Sequence, residues 1–172
     1  TYSRGITHLI KAAYKAKVKL ILGGEFSPAG YETEVKQMPE YSCVDYRGHL
    51  IRNQVLKVYR ESTIGVATIL NIGQYNTGDN FATKVYEYMS MGLPVIITRY
   101  HYSEKMLEKY NFGIAVDPEN IDQIARAMRF LIDNPDKAKE MGENGRRAVL
   151  EEFSWGIEEK KLVTLYNKLV NN

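Results

Sequence analysis

The hydrophobic positions of the sequence change between two spacings along the chain. Residues 5–16 place apolar side chains three and four positions apart, which is the spacing of one face of an α-helix. The mostly apolar run 18–22 follows and stops at Gly23 and Gly24. Because this run is too short for a helix and is closed by glycine, it predicts a buried strand of a parallel sheet.

The same alternation continues through the middle of the sequence. Helices are predicted over 31–38, 51–61, 81–91 and 103–110, and strands over 42–46, 64–70, 94–98 and 113–116. Strands that alternate with helices of about ten residues form right-handed βαβ units. The pattern therefore predicts an α/β fold, a Rossmann-like parallel sheet with helices on both faces.

The last third of the sequence is predicted to be helical. Helices are expected over 121–132, 136–152 and 155–170, with Asn120 and Gln123 as a capping box for the first and Ser154 as a cap for the third. The third helix carries an apolar stripe, which we expect to pack on the core rather than on a partner: Leu162, Leu165, Tyr166 and Leu169. No linker or internal repeat interrupts the pattern, so residues 1–172 are predicted to form one domain.

Composition narrows the classes of function. Of the 172 residues, 44% are hydrophobic and 26% are charged, and the formal net charge is +2. This balance is typical of a globular domain. So small a charge excludes nucleic acid as the main partner, since binding to a polyanion needs a basic surface. The apolar runs fall short of the ~20 residues that span a bilayer, so we expect at most peripheral membrane association.

The small number of cysteine and histidine residues indicates which cellular compartment and which cofactors to expect. Cys43 is the only cysteine, so no intrachain disulfide can form and a cytoplasmic location is expected. The loops after the predicted strands carry neither an Asp-x-Asp pair nor a His/Cys cluster. We therefore expect no cofactor and no obligatory metal.

The loops beyond the carboxyl ends of the strands are where an open parallel sheet binds its ligands. None of them contains the Gly-x-Gly-x-x-Gly motif of dinucleotide-binding folds. Gly23, Gly24 and Gly30 lack the Gly-Lys-Ser/Thr sequence of a phosphate-binding P-loop. The sequence therefore supports neither a dinucleotide site nor a Walker-type site.

The richest of these loops leads into the predicted helix 81–91. Asp79 precedes this helix and Glu87 lies two turns inside it, so the two carboxylates could hold two sets of hydroxyls. The amides of Phe81, Ala82 and Thr83 at the helix start can bind an anion. This arrangement suits a sugar nucleotide. The alternative is that Asp79 only caps the helix and Glu87 is solvated surface.

An acid, seven residues, Glu87 and then Met-x-x-Gly-x-Pro-Val-Ile resembles the donor-site motif of GT-B-fold glycosyltransferases of the large retaining family 4. Further segments resemble the same domain in the same order: Arg4-Gly5, the run 20–24, Tyr46-Arg47-Gly48, Val58-Tyr59, residues 113–118, Met141-Gly142 and Phe153-Ser154-Trp155. The resemblance covers essentially the whole chain. It implies the C-terminal half of a GT-B fold.

The resemblance also implies a role for each matching residue. Glu87 would bind the ribose hydroxyls, Asp79 the hydroxyls of the transferred sugar and Arg4 the diphosphate, and these three are the candidate catalytic residues. The other donor-binding candidates are the glycines of one loop, the backbone beside the base, and the helix start: Gly23, Gly24, Leu50, Asn80, Phe81, Ala82, Thr83 and Lys84. The sequence departs from the family pattern with Asp at 79, Ala at 82 and Arg at 4.

The function that the resemblance implies is retaining transfer of a hexose from a nucleoside-diphosphate sugar to an acceptor hydroxyl, as in bacterial surface polysaccharide synthesis at the inner face of the membrane. The first strand, a second basic diphosphate residue and the N-terminal acceptor domain would precede Thr1, so we expect the isolated fragment to be inactive. Two alternatives remain: a GT-B-fold sugar-nucleotide epimerase, and a non-catalytic sugar-nucleotide-binding domain, for which Ala82 is the hint.

Overall fold

The computed structural model describes residues 1–73 and 76–170. Its strands are β1 (Leu20–Leu22), β2 (Val44–Tyr46), β3 (Gly65–Ala67), β4 (Val95–Thr98) and β5 (Gly113–Val116). Its α-helices are α1 (Ile6–Ala16), α2 (Tyr31–Lys36), α3 (Arg52–Glu61), α4 (Thr83–Ser90), α5 (His101–Tyr110), α6 (Ile121–Asp133), α7 (Pro135–Ala148) and α8 (Trp155–Val170). Short 3₁₀ turns occupy Tyr2–Arg4 and Pro39–Cys43, and a π-helical segment occupies Val149–Phe153. The predicted alternation of strand and helix is confirmed.

All the strand pairs in the described residues are parallel, as predicted. β1 pairs with β2 in a two-stranded sheet, and β3, β4 and β5 form a three-stranded sheet with β4 in the centre. Four of the strands, β1 to β4, are shorter than predicted, whereas β5 has the predicted bounds. The predicted strand 64–70 ends early because the Leu70 amide donates to the carbonyl of Ser3, 2.9 Å away, outside any ladder.

The core lies on both faces of the larger sheet. Val95 and Ile96 are fully buried neighbours in β4, and successive strand residues point to opposite faces. Ile96 joins the cluster built around α1 and α6, while Val95 joins the cluster built around α4, α5 and α7. The prediction of helices on both faces is therefore confirmed.

Asn120 caps α6 as the sequence predicts. Its side-chain oxygen accepts from the amide of Gln123 at 3.0 Å. The reciprocal half of the predicted capping box is different, because the Gln123 side chain accepts from the amide of Asp117 at 3.1 Å. Gln123 therefore ties the end of the β5 loop to the helix.

Helix α8 corrects a prediction. The stripe that we expected in the core is exposed: Leu162 by 44%, Leu165 by 54%, Tyr166 by 60% and Leu169 by 67%. No residue of α8 is buried. Amphipathic spacing is the same for a helix that covers its own core and for one whose apolar face is left uncovered, so periodicity could not distinguish them. Among the helices described, none combines the length and apolar character needed to cross a membrane.

Candidate functional site

A cavity of about 720 Å³ lies between the open edges of β1 and β3. Leu20–Leu22 line one side, Val66 and Thr68 line the other, and apolar side chains of α1, α3 and α6 close it. Four of the predicted donor-site residues also line it: Arg4, Gly23, Gly24 and Lys84. The predicted hydroxyl-binding acids Asp79 and Glu87 do not, so this cavity and the two carboxylates are separate features.

The loops after β1 and β2 bring three predicted donor-site residues together. The amide of Gly24 donates to the carbonyl of Gly48 at 2.7 Å, and the Tyr46 hydroxyl donates to the carbonyl of Gly24 at 3.0 Å. A Cβ on Gly23 would lie only 2.7 Å from the Leu50 side chain. A larger residue at position 23 would therefore require the end of the Leu50 side chain to move, because the two loops lie close together.

The cationic side chains of Arg4 and Lys84 line the same cavity as Thr68. Burial, and second the charge of Arg4, hold the pKa of Lys84 below its ordinary value. The Thr68 side chain is 2% exposed, and its hydroxyl has no hydrogen-bond partner in the described part of the chain. Two positive charges and a buried hydroxyl favour an anionic ligand, since an anion offsets the repulsion between the cations.

The backbone explains why Arg4 lies there. Gly5 has a φ of +65°, which favours glycine, and a Cβ on it would lie 2.7 Å from the carbonyl oxygen of Thr68. The 3₁₀ turn that carries Arg4 is also bonded to the β3 loop through Ser3. Close packing of this turn on the loop after β3 therefore directs Arg4 to the cavity.

Glu87 is held by two residues of α3. The Tyr59 hydroxyl donates to Oε2 of Glu87 at 2.7 Å, and the Arg52 guanidinium pairs with Oε1. The Glu87 side chain is 27% exposed. The alternative of a solvated surface glutamate is therefore wrong.

Asp79 has different surroundings. It is exposed and lies beside Tyr100, whose pKa is raised by burial first and by nearby charges that include Asp79. The Tyr100 hydroxyl donates to the carbonyl of Asn80 at 2.6 Å and so anchors this loop. Helix α4 is capped by Ala82 without a side-chain bond, so the alternative that Asp79 caps the helix is also wrong.

The predicted anion-binding amides need a correction. Helix α4 begins at Thr83, two residues later than predicted, and the Phe81 amide donates to the Tyr86 hydroxyl at 3.3 Å. The Phe81 side chain is 6% exposed and packs among the rings of Tyr86, Tyr102 and Phe112. Phe81 is therefore a core residue. Thr83 and Lys84 are the first helical residues, whose amides have no intrahelical acceptor.

Sequence reasoning missed Arg52 and Tyr59 as part of the site. Seven positions separate them, which places both on one face of α3. That spacing gave no sign of the partner, because Glu87 belongs to another helix. A cluster of three or more histidine, cysteine or acidic side chains suited to a metal is absent from residues 1–73 and 76–170.

The parallel α/β fold, with glycine loops and a basic pocket beyond the carboxyl ends of its strands, is that of the C-terminal, Rossmann-like domain of GT-B glycosyltransferases. The sequence profile of the glycosyl transferases group 1 family matches residues 1–148. The chain therefore belongs to that family.

Known relatives have the same domain within longer proteins. The glycosyltransferase of Rickettsia africae superposes with a TM-score of 0.83 at 19% identity over 100% of this chain and 46% of its own. Anabaena HepE in complex with UDP gives 0.81 at 17% identity, over 98% and 46%. The MMP alpha-(1->4)-mannosyltransferase of Mycolicibacterium hassiacum is 26% identical over 93 residues, which are 54% of this chain and 23% of the relative. The chain spans 43% or less of the curated relatives it matches.

Proposed function

We propose that this chain binds the nucleoside-diphosphate sugar donor of a hexosyltransferase. The observation that carries the proposal is the pair Arg4 and Lys84, which line one cavity with Gly23 and Gly24 beyond the end of β1. Two cations in a half-buried pocket match the charge of a diphosphate. Anabaena HepE, a structural neighbour, has been solved with UDP and with UDP-glucose, which supports the same class of ligand.

We propose a separate role for each of the candidate site residues. Glu87 accepts hydrogen bonds from the ribose hydroxyls, Asp79 accepts from hydroxyls of the transferred sugar, and the Leu50 backbone contacts the base. Arg4, Lys84 and the amides of Thr83 and Lys84 stabilise the charge that develops on the leaving diphosphate. In this proposal those groups suffice without an obligatory metal or cofactor.

The stereochemistry, the transferred sugar and the biological setting are part of the same proposal. The motif that contains Asp79 and Glu87 resembles that of retaining enzymes, so we propose transfer with retention to an acceptor hydroxyl. The mannosyltransferase relative supports a hexose as the transferred group. Synthesis of bacterial surface polysaccharide, at the cytoplasmic face of the membrane, is the setting we propose.

The remaining parts of the enzyme are proposed to precede Thr1. A strand before α1, parallel to β1 and beside it, would form a right-handed βαβ unit with α1 and β1. The cavity between β1 and β3 is the one position in the described sheets where such a strand would pair on both sides. We propose that an upstream strand fills the part of the cavity beside Leu20–Leu22 and Val66, and that the end lined by Gly23 and Gly24 stays open for the diphosphate. An N-terminal domain is proposed to supply the acceptor site.

A non-catalytic donor-binding domain is the second candidate, favoured by Ala82. Its backbone, with φ of −59° and ψ of 139°, suits any residue, so alanine is not strained there. Its methyl group nevertheless occupies space that the family's glycine leaves to the ligand. A sugar-nucleotide epimerase would share the Glu87 contact but act on one ligand.

Product analysis of the full-length protein with a labelled nucleotide sugar tests the function. Transfer of label to an acceptor supports the glycosyltransferase, conversion of the sugar within the nucleotide supports an epimerase, and binding without turnover supports the binding domain. Calorimetric titration of the 172-residue chain with UDP, GDP and ADP identifies the base. Failure of all three to bind would contradict the proposal.

A further inference from the structure

The hydrogen bond from Tyr59 to Glu87 joins two helices that are far apart in sequence. Tyr59 lies in α3 and Glu87 in α4, and the hydroxyl lies 2.7 Å from Oε2. Burial is the first cause of a raised pKa for Tyr59, and its bond to Glu87 is the second. The hydroxyl therefore keeps its proton at ordinary pH and donates to the carboxylate.

The ring of Tyr59 is fixed by its packing. It meets the ring of Tyr88 edge-on, with centroids 5.2 Å apart and planes at 77°. Tyr88 in turn lies against the backbone of Gly65 in β3, where a Cβ would come within 2.4 Å of its ring. Glycine at position 65 thus leaves room for the Tyr88 side chain against the strand, and the Tyr59 ring packs on that of Tyr88.

The contact of Arg52 with Glu87 is more exposed to solvent than the hydrogen bond from Tyr59. The side chain of Arg52 is 62% exposed, so water competes for its ion pair and weakens it. Tyr59 is half-buried and lines the cavity beside β1 and β3. Of the two partners, Tyr59 is therefore the one that fixes the direction of the carboxylate.

The remaining capacity of the carboxylate matches a diol. A carboxylate has about four lone-pair positions, and Tyr59 and Arg52 each occupy one. About two positions are left, which equals the number of free hydroxyls, 2′ and 3′, on the ribose of a nucleoside 5′-diphosphate. A carboxylate held in one orientation accepts both hydroxyls with less loss of side-chain freedom than a mobile one.

We propose that Tyr59 is a positioning residue for nucleotide binding, whose hydroxyl holds Glu87 in the orientation that accepts the two ribose hydroxyls. This inference rests on the proposed function. It assigns Tyr59 no contact with the reacting atoms. Its effect is confined to how well the protein distinguishes a ribose from a sugar without hydroxyls.

The test compares a ribonucleoside diphosphate with its 2′,3′-dideoxy analogue, by calorimetry on the 172-residue chain. The wild type should bind the ribo form more tightly. Tyr59→Phe keeps the ring, and loss of one hydrogen bond should reduce ribo binding about three- to tenfold. Binding of the dideoxy form should be unchanged within about twofold. Equal weakening of both ligands would mean a merely structural role and would overturn the inference.

Two controls complete the design. Tyr2→Phe removes the same kind of bond, from a tyrosine hydroxyl to Glu34 at 2.8 Å, and should leave both affinities unchanged. In a Glu87→Ala background, Tyr59→Phe should cause no further loss of ribo binding, because the group it positions is gone. A further loss there overturns the inference. If the wild type binds no nucleoside diphosphate, the proposed function fails first, whereas binding that is indifferent to Tyr59→Phe defeats this inference alone.

Discussion

Lys84 lies near Arg4 in the cavity between β1 and β3, and its pKa is held below the ordinary value of 10.5 first by burial and then by the Arg4 charge. No carboxylate pairs with Lys84 among the residues described. A partly buried cation without a carboxylate partner costs stability, and a bound anion recovers that cost.

Lys84→Met should therefore stabilise the unliganded chain and weaken binding of a nucleoside diphosphate. A gain of about 1 kcal/mol would raise the melting temperature of a chain of this size by about 2–4 °C. Affinity for the diphosphate should fall about tenfold or more, since one charge-assisted contact is lost. Thermal melts measure the change in stability, and titrations measure the change in affinity for the nucleoside diphosphate. Lys139→Met, at a residue 77% exposed, is the control and should change neither.

The same pair predicts a dependence on pH. A lysine with a lowered folded-state pKa binds fewer protons when folded than when unfolded, so stability rises as pH rises towards 10.5. The stability gap between wild type and Lys84→Met should therefore narrow between neutral pH and pH 10.5. A gap that widens over this range contradicts a desolvated Lys84.

Glu87 and Asp79 should respond differently to the ligand. Glu87→Ala should weaken nucleoside diphosphate and nucleotide sugar alike, by about tenfold to a hundredfold, because both contain the ribose. Asp79→Asn should weaken only the nucleotide sugar. Because Asp79 does not cap α4, its replacement should leave the helix start intact. If both variants show the same ligand dependence, the assignment of one acid to each sugar is wrong.

Nucleotide binding should be independent of divalent metal. EDTA should change the affinity of the chain for a nucleoside diphosphate by less than about twofold, since Arg4, Lys84 and helix amides can carry the charge. Titration with and without EDTA, and after manganese is added back, measures this. An increase of about tenfold on adding manganese would favour a metal-bridged diphosphate instead.

Gly142 packs α7 against the turn before β4. A Cβ there would lie 2.0 Å from the carbonyl oxygen of Gly92, which is backbone and cannot move aside. Gly142→Ala should therefore destabilise the chain by about 1–3 kcal/mol, although alanine normally favours a helix. Gly156, in α8, has nothing within 4 Å of such a Cβ. Denaturant midpoints should show Gly156→Ala neutral or stabilised.

An upstream strand should protect the open sheet edges. If the proposed upstream strand exists, extending the chain to include it should slow amide exchange in Leu20–Leu22 and Gly65–Ala67, the strands that line the cavity. Strands remote from it, such as β5, serve as the internal control. Unchanged exchange at both edges would show that the upstream segment does not pair there.

Periodicity determined the order and type of the elements. An apolar run closed by turn residues is a local signal for a strand, and the run 18–22 contains β1 while the segment 113–116 is β5. The motif around Asp79 and Glu87 was equally local, so the sequence alone led to the correct family. The roles assigned to the two acids remain predictions.

Contacts between elements distant in sequence were decided only by the tertiary structure. Tyr59 meets Glu87 across 28 positions, and nothing near either residue signals the other. The Phe81 amide donates to the Tyr86 hydroxyl, and the Phe81 ring lies in the core. The stripe of α8 is exposed because helical spacing specifies an apolar face but not the surface that covers it. Helices and strands depend on residues that are close in the sequence. Hydrogen-bond partners and the burial of an apolar helix face depend on how these elements pack in three dimensions.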